Sequence, residues 1–155
     1  MISAKVQLTQ PLKGERQFIG TTGSNHHIIL DDAEGATGPK PIELAALALA
    51  GCTAFDVIMI LRNKHHQRVT GYQVSVEADQ AETPPQVFKK VRIHHAVTGL
   101  EIDPDAVEKA IRLSEDKYCS VGAMIKQTAE LDTTFEIIEE SVPWLKEAEV
   151  AVPQV

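Results

Sequence analysis

Positive charge is in short supply: 15 Lys and Arg stand against 22 Asp and Glu, a formal charge of −7. No run of Lys or Arg offsets that balance locally, so a surface built to neutralise phosphates is excluded and nucleic acid is not an expected partner. Cysteine is scarcer still, with two residues, Cys52 and Cys119. The N-terminus, Met-Ile-Ser-Ala-Lys-Val-Gln-Leu, lacks a basic segment followed by an apolar run and cleavage site, which predicts no secretory signal and a cytoplasmic location. In a reducing compartment two thiols are catalytic or incidental rather than a structural staple. Glycines form neither GxGxxG nor a P-loop, and serines lie in no GxSxG context, so neither a nucleotide site nor an acyl-transfer triad is indicated. HExxH and paired Cys/His spacings are also missing, and neither a metal nor another cofactor is expected. Repeats and low-complexity tracts are absent.

What the chain does have is one long apolar stretch, from Gly38-Pro-Lys-Pro41 through Cys52 to Leu61. Pro41 is pre-set for the first helical position. Apolar residues then occupy nearly every face, the mark of a helix buried all round. The stretch is about long enough to span a bilayer, which needs ~20 apolar residues. Glu43 and Asp56 interrupt it, no second span follows, and the expectation is a core helix rather than a membrane segment.

Around it the alternation of Ser3–Leu8 predicts a strand, and Phe18–Thr21 and His26–Leu30 predict two more joined at Thr22-Gly-Ser-Asn25. Val74, Val76 and Ala78 alternate with polar residues, and Val91, Ile93, His95 and Val97 share the register of a following strand. Asp103-Pro104-Asp105 is a helix start, and Val107, Ala110, Ile111 and Ser114 recur at helical spacing over 105–116. Cys119 falls at a break before a shorter helical run over 121–128, and Thr133–Ile138 reads as a final strand. This order predicts an α+β sandwich rather than a βαβ repeat, as a single domain over residues 1–140. A tail over 141–155 follows, whose Trp144 and Leu145 are expected to pack on something.

Histidines come as three adjacent pairs, His26-His27, His65-His66 and His94-His95. Neighbours on a strand point to opposite faces, so the first and third pairs do not chelate one ion, and all six read as surface or core residues. The cysteines carry more. Cys52 sits among Ala48, Ala50, Gly51 and Thr53, small residues that leave room beside the sulfur. Cys119, in Lys117-Tyr-Cys-Ser-Val121, lies near a helix start, where free amides and the dipole favour a thiolate. Two such thiols suit a peroxide reaction, in which attack on the O–O bond gives a sulfenic acid that the second thiol converts to a disulfide.

The segments Gly-Pro-Lys-Pro-Ile-Glu-Leu44, Ala-Gly-Cys52-Thr-Ala-Phe-Asp-Val57 and Glu115-Asp-Lys-Tyr-Cys119-Ser-Val121 resemble the OsmC/Ohr family, named for osmotically inducible protein C and organic hydroperoxide resistance protein. The resemblance extends over residues 3–139 in element order. It implies an intertwined homodimer with antiparallel sheets wrapped around long central helices. It also implies a thiol peroxidase acting on organic hydroperoxides, with Cys52 as the peroxidatic and Cys119 as the resolving cysteine. Regeneration would fall to a lipoyl-containing or other dithiol, with no bound cofactor. One departure stands out: the glutamate that the peroxidases carry directly after the helix-opening proline, where it holds an arginine against the sulfur, is Ile42 here. Glu43 follows, nine positions before Cys52 and so on nearly the opposite side of the helix at about 100° per residue. Arg16 is the candidate for the arginine. The alternative function is an OsmC-like protein that binds a small apolar or thiol-bearing ligand with little turnover.

Overall fold

The computed structural model describes residues 1–9 and 16–140, which fall into two compact units, one within Met1–Ala48 and the other within Leu49–Val155. The expected packing of Trp144 and Leu145 lies outside the described residues.

The N-terminal unit is an antiparallel meander of three strands, β1 (Ala4–Leu8), β2 (Phe18–Thr22) and β3 (His27–Leu30), in the order β1-β2-β3. The turn between β2 and β3 closes with the Thr22 carbonyl accepting from the Asn25 amide at 2.9 Å, and Asn25 takes a positive φ of 62°, a conformation asparagine tolerates. After β3, two aspartates build the loop that leads to the next helix. Asp31 accepts from the amide of Asp32 at 2.8 Å and from both the amide and the hydroxyl of Thr37. Asp32 accepts from the amides of Glu34 and Gly35 at 3.0 and 2.9 Å. A Cβ on Gly35 would collide with the Asp31 carboxylate, so only glycine fits.

Helix α1 (Pro41–Asn63) opens on Pro41, and its Glu43 side chain reaches back to the Lys40 amide at 2.8 Å, closing the first turn. By length and composition α1 is apolar enough to cross a membrane. It packs instead as a core helix: Leu49, Thr53, Val57, Ile60 and Leu61 are buried. Burial all round is not what one chain delivers, however. Leu47, Phe55 and Met59 stand exposed, Phe55 at 77%. The sequence is apolar on every face, but a single chain supplies cover for only one of them.

The C-terminal unit carries a second sheet, β4 (Arg68–Gln80), β5 (Phe88–Leu100) and β6 (Glu130–Glu139), with β5 central, antiparallel to β4 and parallel to β6. The β5–β6 connection is made by helices, as a parallel pair requires. Helix α2 (Pro104–Leu113) is capped by Asp103, whose carboxylate accepts from the Asp105 amide at 3.0 Å, with Pro104 in the first turn. A π-helical turn (Ser114–Tyr118) follows, and then α3 (Ser120–Ile125). Val57 and Leu61 of α1, Val69 of β4, Val97 of β5 and Val107, Ala110 and Ile111 of α2 form one buried cluster. Each fully buried aliphatic side chain there contributes about 1.5–3 kcal/mol relative to exposure. Along β5 the expected alternation holds, with Val91, Ile93, His95 and Val97 all buried. The α+β class read from the element order is the class observed.

Candidate active site

Cys52 occupies the middle of α1 and is half-buried, while Cys119 is buried, at 4% exposure, as the N-cap of α3. Far apart in sequence, the two meet in space. The ligand-type atoms of Cys52, Asp56 and Cys119 all lie within 4.8 Å of one another. Cys52 and Asp56 share a face because they stand four positions apart on one helix. The third member is brought in by the π-helical turn, in which the Cys119 amide donates to the Ser114 carbonyl at 2.9 Å, five residues back. Glu115 anchors that turn: its carboxylate accepts from the Thr133 hydroxyl on β6, and its carbonyl accepts from Lys126 Nζ at 3.0 Å.

Buried hydroxyls orient the cluster from behind. Ser114, fully buried, donates through Oγ to Asp56 Oδ2 at 3.1 Å and lies 3.3 Å from Thr53 Oγ1. On the other side, the Gly122 amide donates to Cys119 Sγ at 3.2 Å. A Cβ on Gly122 would come within 3.2 Å of that sulfur, so glycine permits the close approach. One position before Cys52, a Cβ added to Gly51 would meet nothing within 4 Å, so that neighbouring face of α1 is open. A cavity of about 280 Å³ opens next to Asp56, walled by Met59, Ile60 and Tyr118 with Lys64 at its rim. Lys64 Nζ and Lys117 Nζ sit 5.6 and 5.4 Å from the centre of the Tyr118 ring.

The electrostatics of Cys119 differ from the sequence expectation. The Gly122 amide does favour its thiolate, but burial acts the other way and dominates. Interaction with the Cys52 thiol and the Asp56 charge add to it, and the Cys119 thiol is pushed up to about 12. Cys119 therefore holds its proton at neutral pH. Cys52, Asp56 and Cys119, the last a thiol that keeps its proton, fall short of the four deprotonated ligands that close a structural zinc site. Sequence reasoning gave Asp56 and Ser114 no chemical role. The signal was there as Cys52-x-x-x-Asp56, one helical turn, in which Asp56 counted only against a membrane span.

The candidate arginine is engaged elsewhere. Arg16 Nε donates to Asp32 Oδ2 at 3.2 Å within the N-terminal unit, and Glu43 is spent on the Lys40 amide. Of the histidines, His94 and His95 point to opposite faces of β5, as adjacent strand residues must: His94 Nδ1 lies 2.9 Å from Thr134 Oγ1, and His95 is fully buried. The Tyr72 hydroxyl lies 2.6 Å from His95 Nδ1. Burial raises Tyr72 and lowers His95 to about 4, so a neutral imidazole accepts from the phenol and carries its proton on Nε2. That Nε2 is buried with no partner among the described residues.

A profile of the family described as OsmC-like protein matches residues 33–134, two thirds of the chain. The chain is also 34% identical over 121 residues to protein YhfA of Escherichia coli strain K12, covering 78% of this chain and 90% of that one. The chain belongs to the OsmC-like family. Among solved structures, the OsmC-like fold described above matches a hypothetical protein from Aquifex aeolicus VF5 with a TM-score of 0.80 and 26% identity, over 91% of this chain and 98% of that one. It also matches an organic hydroperoxide resistance protein OsmC from Legionella pneumophila, with a TM-score of 0.64 and 17% identity over 88% and 96%. At that identity the Legionella likeness is one of fold.

Proposed function

We propose that this OsmC-like chain serves in peroxide stress as a thiol peroxidase that reduces organic hydroperoxides in the cytoplasm. The observation that carries the reading is the meeting of Cys52 and Cys119 within 4.8 Å, one thiol half-buried, the other buried. Membership of a family that includes organic hydroperoxide resistance proteins supports it. The Cys52 thiolate attacks the terminal peroxide oxygen, the O–O bond breaks, and the organic alcohol leaves with a proton. Cys52 is then a sulfenic acid. Cys119 attacks its sulfur, a disulfide forms and water leaves. A dithiol, lipoyl-containing or otherwise, reduces the disulfide by two exchanges. The apolar wall of Met59, Ile60 and the Tyr118 ring fits the organic substituent of such a peroxide.

The active form is a homodimer in this reading. Val6, Leu8, Ile19, Ile28 and Ile29 of the first sheet are exposed, as are Leu47, Phe55 and Met59 of α1, and grouped exposed apolar side chains mark an interaction surface. A second copy covers them. Light scattering tests this, and a monomer at micromolar concentration would remove it.

A second reading has its own observation. Arg16 is tied to Asp32 and the residue after Pro41 is Ile42, so the arginine–glutamate pair of the family's peroxidases is not assembled in this way. A protein that binds a small apolar or thiol-bearing ligand with little turnover fits that. Consumption of cumene hydroperoxide with dihydrolipoamide, compared between wild type and Cys52→Ser, separates the two. Turnover that falls to background in Cys52→Ser, with a Cys52–Cys119 disulfide seen by mass spectrometry, is the expected result. Two free thiols after one equivalent of peroxide would leave only binding.

A further inference from the structure

We propose that Asp56 carries the Cys119 proton to the departing hydroxyl as Cys119 attacks the Cys52 sulfenic acid. This rests on the peroxidase reading and assigns a residue to its second step.

That step has a proton problem. The disulfide bond forms as the S–O bond of Cys52 breaks, Cys119 gives up its proton, and the hydroxyl must gain one to leave as water. Cys119 is buried, its sulfur accepts from the Gly122 amide, and the Cys52 thiol is its side-chain hydrogen-bond neighbour. The charged or titratable groups that act on it are Cys52 and Asp56, both from α1. Burial, the leading cause, pushes its thiol well above the usual thiol range, so little free thiolate stands there at neutral pH. Resolution by a free thiolate alone would be slow, and a nearby base that takes the proton during the attack removes that handicap.

Asp56 is placed for both ends of the transfer. Its carboxylate lies within 4.8 Å of both sulfurs, a span closed by a small side-chain rotation or by one bridging water. Oδ2 is held by the Ser114 hydroxyl at 3.1 Å, while among the described residues Oδ1 takes no protein hydrogen bond. One oxygen fixes the group and the other is free to accept and release a proton. The transfer starts at Cys119 Sγ–H, passes through Asp56 and ends on the oxygen leaving Cys52. Asp56 regains its charge and the sum is one disulfide and one water.

Single-turnover kinetics test it. Reduced wild type, Asp56→Asn, Asp56→Glu and Cys119→Ser are mixed with one equivalent of cumene hydroperoxide between about pH 6 and 9. Sulfenic acid is trapped with dimedone and disulfide is counted by mass spectrometry. Cys119→Ser fixes the signature of an unresolved sulfenic acid. For wild type, disulfide formation is expected to be nearly independent of pH. For Asp56→Asn, which keeps an acceptor for Ser114, resolution is expected to slow about a hundredfold, sulfenic acid to accumulate, and the rate to climb about tenfold per pH unit as free thiolate takes over. Asp56→Glu keeps the carboxylate and is expected to restore the flat profile at a reduced rate. Resolution in Asp56→Asn as fast and as flat as in wild type would overturn the assignment while leaving the peroxidase standing. If Cys52 forms no sulfenic acid in any variant, the peroxidase reading falls and the assignment with it.

Discussion

The two halves of this chain solve the same burial problem to different degrees. In the C-terminal unit a three-stranded sheet and two helices close over Val57, Leu61, Val97 and Val107, and every second residue of β5 is inside. In the N-terminal unit the strands are equally well paired, yet β1 has no buried residue and Ile19, Ile28 and Ile29 stay exposed. Backbone pairing fixes a sheet's geometry, but burying its apolar face takes a second layer of packed structure. The candidate site lies in that unit too: Ser114, Thr53 and Cys119 are all buried.

Four experiments press on that contrast. The largest effect is expected from Leu61→Ala, which opens a hole in the C-terminal core and should cost about 2–5 kcal/mol. Val6→Ala in exposed β1 should stay within about 0.5 kcal/mol. Urea unfolding of both variants checks this, and equal losses would erase the distinction between the units.

Next comes pH. Burial holds His95 at about 4 in the folded chain, whereas an unfolded histidine titrates near ~6.5. Between these values the unfolded chain binds more protons. Stability is therefore intact above ~6.5 and falls as pH drops toward 4, by up to about 1.4 kcal/mol per pH unit. The Thr37 hydroxyl, followed by backbone amides, holds Asp31 below the usual carboxylate range, so its contribution is present above ~3.9 and lost only at more acid pH. Amide exchange should accordingly report loss of protection in β5 before it does in the Asp31–Thr37 loop. In the paired variant His95→Leu/Tyr72→Phe, which orphans neither partner, the loss between pH 6.5 and 4 should flatten.

Smaller still is the cap. Asp103→Ala removes the acceptor for the Asp105 amide and should cost about 1 kcal/mol, read as a lower thermal midpoint. Smallest of all is Arg16→Ala, which breaks an exposed ion pair with Asp32 and should change stability by less than about 1 kcal/mol. Peroxide turnover should be unchanged with it. A large fall in turnover would mean that Arg16 leaves Asp32 to serve the sulfur.

How much of this was legible beforehand varied with the kind of signal. Elements whose cause is local were read nearly to the residue: Asp103-Pro104 as a helix start, the alternation from Val91 to Val97, the break before Cys119. The buried stripe of α1 was not, because a stretch apolar on all faces has no periodicity from which to choose one. Within the site the two cysteines were visible as residue types, and the resemblance paired them. Asp56 was noticed only as an obstacle to a membrane span. What makes it chemical is Ser114, fifty-eight positions later, and no spacing rule joins residues through a tertiary contact. The reversal at Cys119 has the same origin. An amide at a helix start is a local feature, but the burial that outweighs it is decided by everything packed around it.

The five-residue turn from Ser114 to Tyr118 works as a ruler. It is wound one residue wider than the α-helix that precedes it, with the Cys119 amide bonded to the carbonyl of Ser114. Deleting any one of its residues would let the segment relax into ordinary α-helix and carry the Cys119 sulfur about 100° around the axis, away from Cys52. Length therefore matters here as much as side chains do: losing a residue with no contact in the site, such as Asp116, would shift the Cys119 sulfur as surely as losing Ser114 or Glu115 would remove its supports.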